Sequence, residues 1–157
     1  MIFVTFGTAA PFPRLLKRLD ELAEASGMEF IVQTGTTPMS GRYCRMFDYK
    51  ASLTEYFERA DFVISHAGLG TPMELLRMRK SFIVVPRLAR YAEHTNDHQI
   101  EISEMLHRKY GVQYFLDVEK ISVEMLKNPP EPYPFSDEPL ILFHKNIEKV
   151  IHGDVGC

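Results

Sequence analysis

The sequence predicts a doubly wound α/β domain on a parallel sheet. Four short stretches, Ile2 to Phe6, Phe30 to Val32, Phe62 to Ile64 and Phe82 to Val85, are apolar or β-rich almost throughout, as strands buried on both faces are. Segments with apolar residues at helical spacing alternate with them. This alternation implies right-handed crossovers and helices on both sheet faces. Gly7-Thr8, Gln33-Thr34-Gly35, His66 to Thr71 and the loop after Pro86 each follow a strand. They should gather at the carboxyl edge, where such sheets bind ligands.

Each element has its own signal. After Pro11 and Pro13, Leu15, Leu16, Leu19, Leu22 and Ala23 mark a helix that Gly27 stops. Thr36 to Arg42 reads as a mobile loop, Tyr43 to Tyr49 as a short strand, and Ser52 as the cap of a helix facing inward with Leu53, Tyr56, Phe57 and Ala60. Arg87 to Thr95 has no period and should be a loop. Asn96 or Asp97 caps a helix to about Lys109 with Ile102, Met105 and Leu106 inward, and Gly111 ends it. Val112 to Leu116 should be a last strand, and a short helix carrying Met125 and Leu126 starts at Ser122. Met73, Met105 and Met125 sit among helical apolar positions and should fill core. The prolines of 128–135 impose an extended surface run. A final helix facing inward with Leu140, Phe143, Ile147, Val150 and Ile151 completes the chain, and Gly153 marks its end.

The 157 residues predict one domain, with a proline-rich segment and C-terminal helix over 128–157. A net charge of -3 gives no basic footprint for nucleic acid. Cys44 and Cys157 lie far apart without metal-type spacing, which suits a reduced, cytoplasmic protein. The opening Met1-Ile-Phe-Val-Thr-Phe has no basic n-region and too short an apolar run for a signal peptide or membrane span. Membrane contact is then expected through a partner or a surface patch.

The central stretch, Asp61-Phe-Val-Ile-Ser-His66-Ala-Gly-Leu-Gly70-Thr-Pro-Met-Glu74, reads as strand, glycine turn and helix opening at Thr71. Gly68 and Gly70 let backbone approach a ligand, and the helix start favours an anion such as phosphate. A structural reading competes: Thr71 and Glu74 fit a capping box. His66 is open between a backbone-bonded loop histidine and a ligand contact. His94 and His98 lie one helical turn apart without a third ligand, so no metal is expected. The first turn, Gly7-Thr-Ala-Ala, is not a dinucleotide fingerprint, the second strand ends in Gln33 rather than an acid, and no Walker loop or Asp-x-Asp pair occurs.

In order, Phe3-Val-Thr-Phe-Gly7-Thr8, Gln33-Thr-Gly35, Ala60-Asp61 through Glu74, Ile83-Val-Val-Pro86 and Asn96-Asp-His98-Gln99 resemble the donor-binding half of GT-B glycosyltransferases, and within them the family 28 C-terminal domain. The likeness extends from Met1 to about Gly111 and is strongest to short single-domain members. These include the catalytic subunit of the two-part enzyme that adds the second N-acetylglucosamine to a dolichol-linked sugar, and subunits of bacterial exopolysaccharide and capsule glycosyltransferases. The resemblance implies a Rossmann-like single GT-B half that uses a UDP-sugar as donor substrate, with no cofactor and no metal. It implies inverting transfer of a hexose or N-acetylhexosamine to a lipid-linked glycan beside a membrane-associated partner resembling the N-terminal half. It places Glu74 on the ribose, Gly68, Gly70 and Thr71 with Gly7 and Thr8 on the diphosphate, His98 and Gln99 near the sugar, and Tyr49 and Lys50 at uracil, and leaves His66 open as a donor-site candidate. No catalytic base is evident, and the partner is expected to supply it. A noncatalytic donor-binding or regulatory subunit and an epimerase-like protein remain open as alternatives.

Overall fold

The computed structural model describes residues 1–136. Its strands are β1 (Ile2–Thr5), β2 (Phe30–Gln33), β3 (Arg45–Phe47), β4 (Phe62–His66) and β5 (Phe82–Val85). All pair in parallel in the order β3-β2-β1-β4-β5. The helices are α1 (Pro13–Ser26), α2 (Thr54–Arg59), α3 (Gly70–Arg77), α4 (His98–Tyr110) and α5 (Val123–Lys127).

Both sheet faces are covered, as the apolar strands require. Ile2, Val4 and Phe6 pack with Leu15, Leu19 and Leu22 of α1 and Leu126 of α5. Phe3 points the other way, into a cluster with Phe57 of α2, Leu75 and Leu76 of α3 and Leu106 of α4. Each such buried side chain contributes about 2 kcal/mol of transfer free energy. Met73 and Met105 pack against the second cluster and Met125 against the first, the core role their spacing predicts.

The strand order reverses between β1 and β4, which are neighbours in space but not in sequence, so the crevice beyond their carboxyl ends is the sheet's switch point. Register sets its shape. Thr5 stands opposite Gln33 on one side and Ser65 on the other. The loops that follow β1, β2 and β4 therefore leave the sheet at one level.

Several elements differ from expectation. Val112 to Leu116 forms only an isolated bridge, Tyr114 with Val84, beyond the edge of β5. Leu53, not Ser52, occupies the cap position of α2, while Ser52 Oγ accepts from the Thr54 amide at 3.3 Å. The loop after β5 holds a 3-10 turn, Ala89–Tyr91. The 36–42 loop is anchored at both ends: Phe12 donates to Thr37 Oγ1, and Asp20 Oδ1 accepts from Arg42 and Tyr43 at 2.8 and 2.7 Å. In the proline-rich run Tyr133 turns inward, its hydroxyl donating to Phe82 O at 2.9 Å and accepting from Gln113 N at 3.1 Å. The expected C-terminal helix lies outside the described residues.

Candidate functional site

Three glycines and a histidine build the switch-point crevice. The His66 ring, at the end of β4, is wedged between Gly7 and Gly68. A Cβ on Gly7 would lie 2.7 Å from its Nε2, and one on Gly68 would lie 2.3 Å from it. Gly7 (φ 67°) and Gly35 (φ 56°) occupy left-handed backbone, and a Cβ on Gly35 would meet the Gly7 carbonyl oxygen at 2.1 Å. These turns admit no side chain. His66 Nδ1 lies 3.4 Å from Thr5 O. Burial foremost, and then the nearby Arg87 charge, lower its pKa to about 4, so the ring is neutral at pH 7.

Helix α3 opens onto this crevice one residue earlier than the sequence suggests, at Gly70, with Leu69 in the cap position and no side-chain cap bond. The capping box is therefore not formed. Thr71 lies inside the first turn, and the Glu74 carboxylate, half-buried one turn further on, has no hydrogen-bond or ion-pair partner among the described residues. A Cβ on Gly70 would meet nothing within 4 Å, so the helix start faces open space. Pro72 has no N–H, and the amides of Gly70 and Thr71 carry the positive end of the dipole.

On the β2 side, Gln33 ties three loops together. Its Oε1 accepts from Thr5 Oγ1 at 2.7 Å, and its Nε2 donates to Asp48 O at 2.9 Å and Gly7 O at 3.3 Å. The carboxamide thus fixes the loop after β1 against the one after β3, which carries Tyr49 and Lys50. Tyr49 is exposed, and Lys50 Nζ sits 4.8 Å from the Tyr56 ring centroid. Thr8 is exposed at the rim. Beside β3, a cavity of about 310 Å³ is lined by Phe47, Lys50, Tyr56 and Arg59 among others.

The family model for the glycosyltransferase family 28 C-terminal domain matches residues 1–151. The chain belongs to that family. Relatives agree in sequence: UDP-N-acetylglucosamine transferase subunit ALG13 of Mus musculus is 32% identical over 125 residues, covering 71% of this chain and 10% of that protein. The subunit of the same name from Yarrowia lipolytica is 31% identical over 127 residues, covering 69% of this chain and 61% of its own. The chain thus spans a tenth of the mouse relative and under two thirds of the fungal one. A solved structure of the glycotransferase of kitacinnamycin superposes with a TM-score of 0.53 at 16% identity, over 80% of this chain and 32% of that one, a likeness of fold.

In this family 28 domain the loop after β5 departs most from a plain polar loop. Gln99, expected near the sugar, is buried in α4, and its Oε1 accepts from the Arg87 amide at 2.9 Å. His98, the first residue of α4, is exposed and its Nδ1 lies 3.1 Å from Glu101 Oε2. Asn96 Oδ1 accepts from the His98 amide, while Asp97 Oδ1 accepts from Ala89 N and so holds the loop rather than its own helix. Glu93, 2% exposed, takes a bidentate grip from Arg14 at 2.9 and 3.0 Å and a third bond from Leu88 N. Ala9, Ala10, Ala92, Glu93, His94 and Thr95 enclose a cavity of about 350 Å³ between the loops after β1 and β5. Sequence reasoning placed Gln33 at the carboxyl edge without its bonding role, and missed Arg87 and Glu93. A polar residue ending an otherwise apolar strand was the signal for Gln33; Arg87 and Glu93 sit in a loop whose partners no local pattern gives.

Proposed function

We propose that this chain binds a UDP-sugar across the carboxyl edge of its sheet and serves as the donor-binding subunit of a glycosyltransferase. The diphosphate lies on the Gly70 and Thr71 amides, flanked by Gly7, Thr8, His66 and Gly68, where the helix dipole offsets its charge. Glu74 accepts from the ribose hydroxyls. Tyr49 and Lys50 stand toward the uracil and His98 toward the sugar, while the buried Gln99 holds the Arg87 amide. One observation carries this reading: at the switch point of a family 28 domain, the cap-free start of α3 presents open amides with an unpartnered carboxylate one turn behind them.

The transfer is inverting and metal-independent, with the helix start stabilising the departing diphosphate as charge develops. His66, with its pKa near 4, is a poor proton acceptor at neutral pH, which supports a base supplied from elsewhere. A membrane-associated partner resembling the N-terminal half of GT-B enzymes supplies it and brings a lipid-linked glycan acceptor. Among the described residues no helix is long and apolar enough to cross a membrane. The chain then works at the cytoplasmic face through that partner.

Calorimetric titration of UDP into the wild-type chain and Glu74→Ala tests the assignment. UDP affinity should fall roughly 10- to 100-fold, the equivalent of one or two charge-assisted hydrogen bonds. Stability should change by less than about 0.5 kcal/mol, since Glu74 holds nothing in the free protein. Equal UDP affinity in the two proteins, or no affinity in either, would remove the reading.

A further inference from the structure

Arg87 is completely buried, yet two of its guanidinium nitrogens, Nε and Nη1, have no hydrogen-bond partner among the described residues. Buried polar groups are nearly always paired, and an unpaired one costs about 1–3 kcal/mol. The third nitrogen, Nη2, donates to Phe6 O at 2.7 Å and to Ala10 O. Those carbonyls bracket the loop that contains Gly7 and Thr8. The guanidinium rests over the Phe12 ring, 5.1 Å from its centroid, and the Arg87 backbone is held by Gln99.

Its charge is uncompensated. The nearby acid, Glu93, is already gripped at both oxygens by Arg14. Among the described residues, two guanidinium groups against one carboxylate leave one net positive charge under the loop. Burial lowers the Arg87 pKa to about 10 while Glu93 holds it up, so it stays charged at neutral pH. The crevice feels this charge, since Arg87 is the second cause, after burial, that keeps His66 neutral.

Resting on the UDP-sugar reading above, we propose that Arg87 is a positioning residue for the diphosphate: it clamps the Phe6 and Ala10 carbonyls to fix the Gly7–Thr8 turn and supplies a buried countercharge to the bound anion. A nucleoside diphosphate at the crevice would supply that charge with a counter-anion. The α3 amides contribute partial charges from one side of His66, and Arg87 a full charge from behind the other. Because it is sealed from solvent, Arg87 acts through the loop and through the low-dielectric interior rather than by contact.

The test compares UDP with uridine, which lacks the anion, on wild type, Arg87→Gln and Arg87→Lys. Arg87→Gln should weaken UDP at least tenfold and change uridine less than twofold, with Arg87→Lys recovering part of the loss. Where Arg87→Gln fails to fold, side-chain NMR of the wild-type Arg87 Nε–H decides: its resonance should shift on adding UDP and stay put on adding uridine. An unchanged ratio of UDP to uridine affinity in a folded variant, or a resonance indifferent to UDP, overturns the role of Arg87 alone. Wild type that binds no UDP overturns the donor-site reading and this proposal with it.

Discussion

At the junction of β1 and β4 the chain brings backbone close around one ring by leaving side chains out, whereas beside β5 it packs buried charge. The first region is backbone: Gly7 and Gly68 close around one imidazole, Gly35 presses on the Gly7 carbonyl, and a Cβ on any of them would collide. The second is side chain: Arg14 grips the Glu93 carboxylate, Gln99 holds the Arg87 amide, and Arg87 bonds to the loop after β1. The glycine side depends on close backbone approach that no Cβ allows. A charged cluster shapes the same crevice at long range and pays in desolvation. The two should therefore fail differently when perturbed, and by different amounts.

The largest effect belongs to the charged side. Glu93→Gln keeps the shape but removes the carboxylate that Arg14 grips bidentately and that the buried Arg87 faces. Two guanidinium groups are then left without an acid. Breaking such a buried pair should destabilise the chain by about 4 kcal/mol, read from urea unfolding. A loss under about 1 kcal/mol would mean that Arg14 and Arg87 are solvated, and the contrast between the two regions would collapse.

The glycine side should be sensitive to acid instead. His66 titrates near 4 in the folded chain and near 6.5 in the unfolded one. Its folded pKa is depressed, so the neutral ring stabilises the fold fully above pH 6.5, and that contribution is lost as pH falls towards 4 while only the unfolded chain takes up the proton. The loss approaches about 3 kcal/mol. Urea unfolding of wild type and His66→Asn between pH 7 and 4 isolates it, because the other groups titrate in both proteins. Identical acid slopes would show that His66 is free to take up a proton in the crevice.

The contrast also explains what the sequence disclosed. The glycine turns at Gly7, Gly68 and Gly70 were legible because backbone needs leave residue-type signatures at fixed offsets from strands and helix starts, whereas Glu74 was singled out beyond the capping box only through the family resemblance. The strands themselves were legible because burial on both faces removes alternation; their order, β3-β2-β1-β4-β5, is set by pairing that no local pattern encodes. Thr71 and Glu74 satisfy the capping-box spacing, yet the helix begins at Gly70 because the Met73 amide finds Leu69 O. Spacing cannot distinguish the two starts. Gln99 was placed at the sugar because its position fits the family pattern, while its oxygen holds the Arg87 amide, a partner twelve residues away. Arg87 and Glu93 were unreadable for the same reason, since their partners Phe6 and Arg14 come from the other end of the chain.

The smallest expected effect sharpens the comparison, because it separates hydrogen bonding from charge on the β5 side. Among the described residues the sheet continues beyond β5 only as the Val84–Tyr114 bridge, and Tyr133 closes it by donating to Phe82 O and accepting from Gln113 N. Its ring packs edge-on to Phe82 at 5.3 Å between centroids. Tyr133→Phe keeps that packing and deletes both bonds, so the Phe82 carbonyl and the Gln113 amide lose a partner. The expected cost is about 1–2 kcal/mol, measured by urea unfolding. UDP affinity should be unchanged, because Phe82 begins β5 at the end of the sheet opposite the crevice. If β5 is held by its apolar packing alone, Tyr133→Phe will be neutral; if UDP affinity falls with it, the two ends of β5 are mechanically linked and the crevice is less self-contained than its glycines make it.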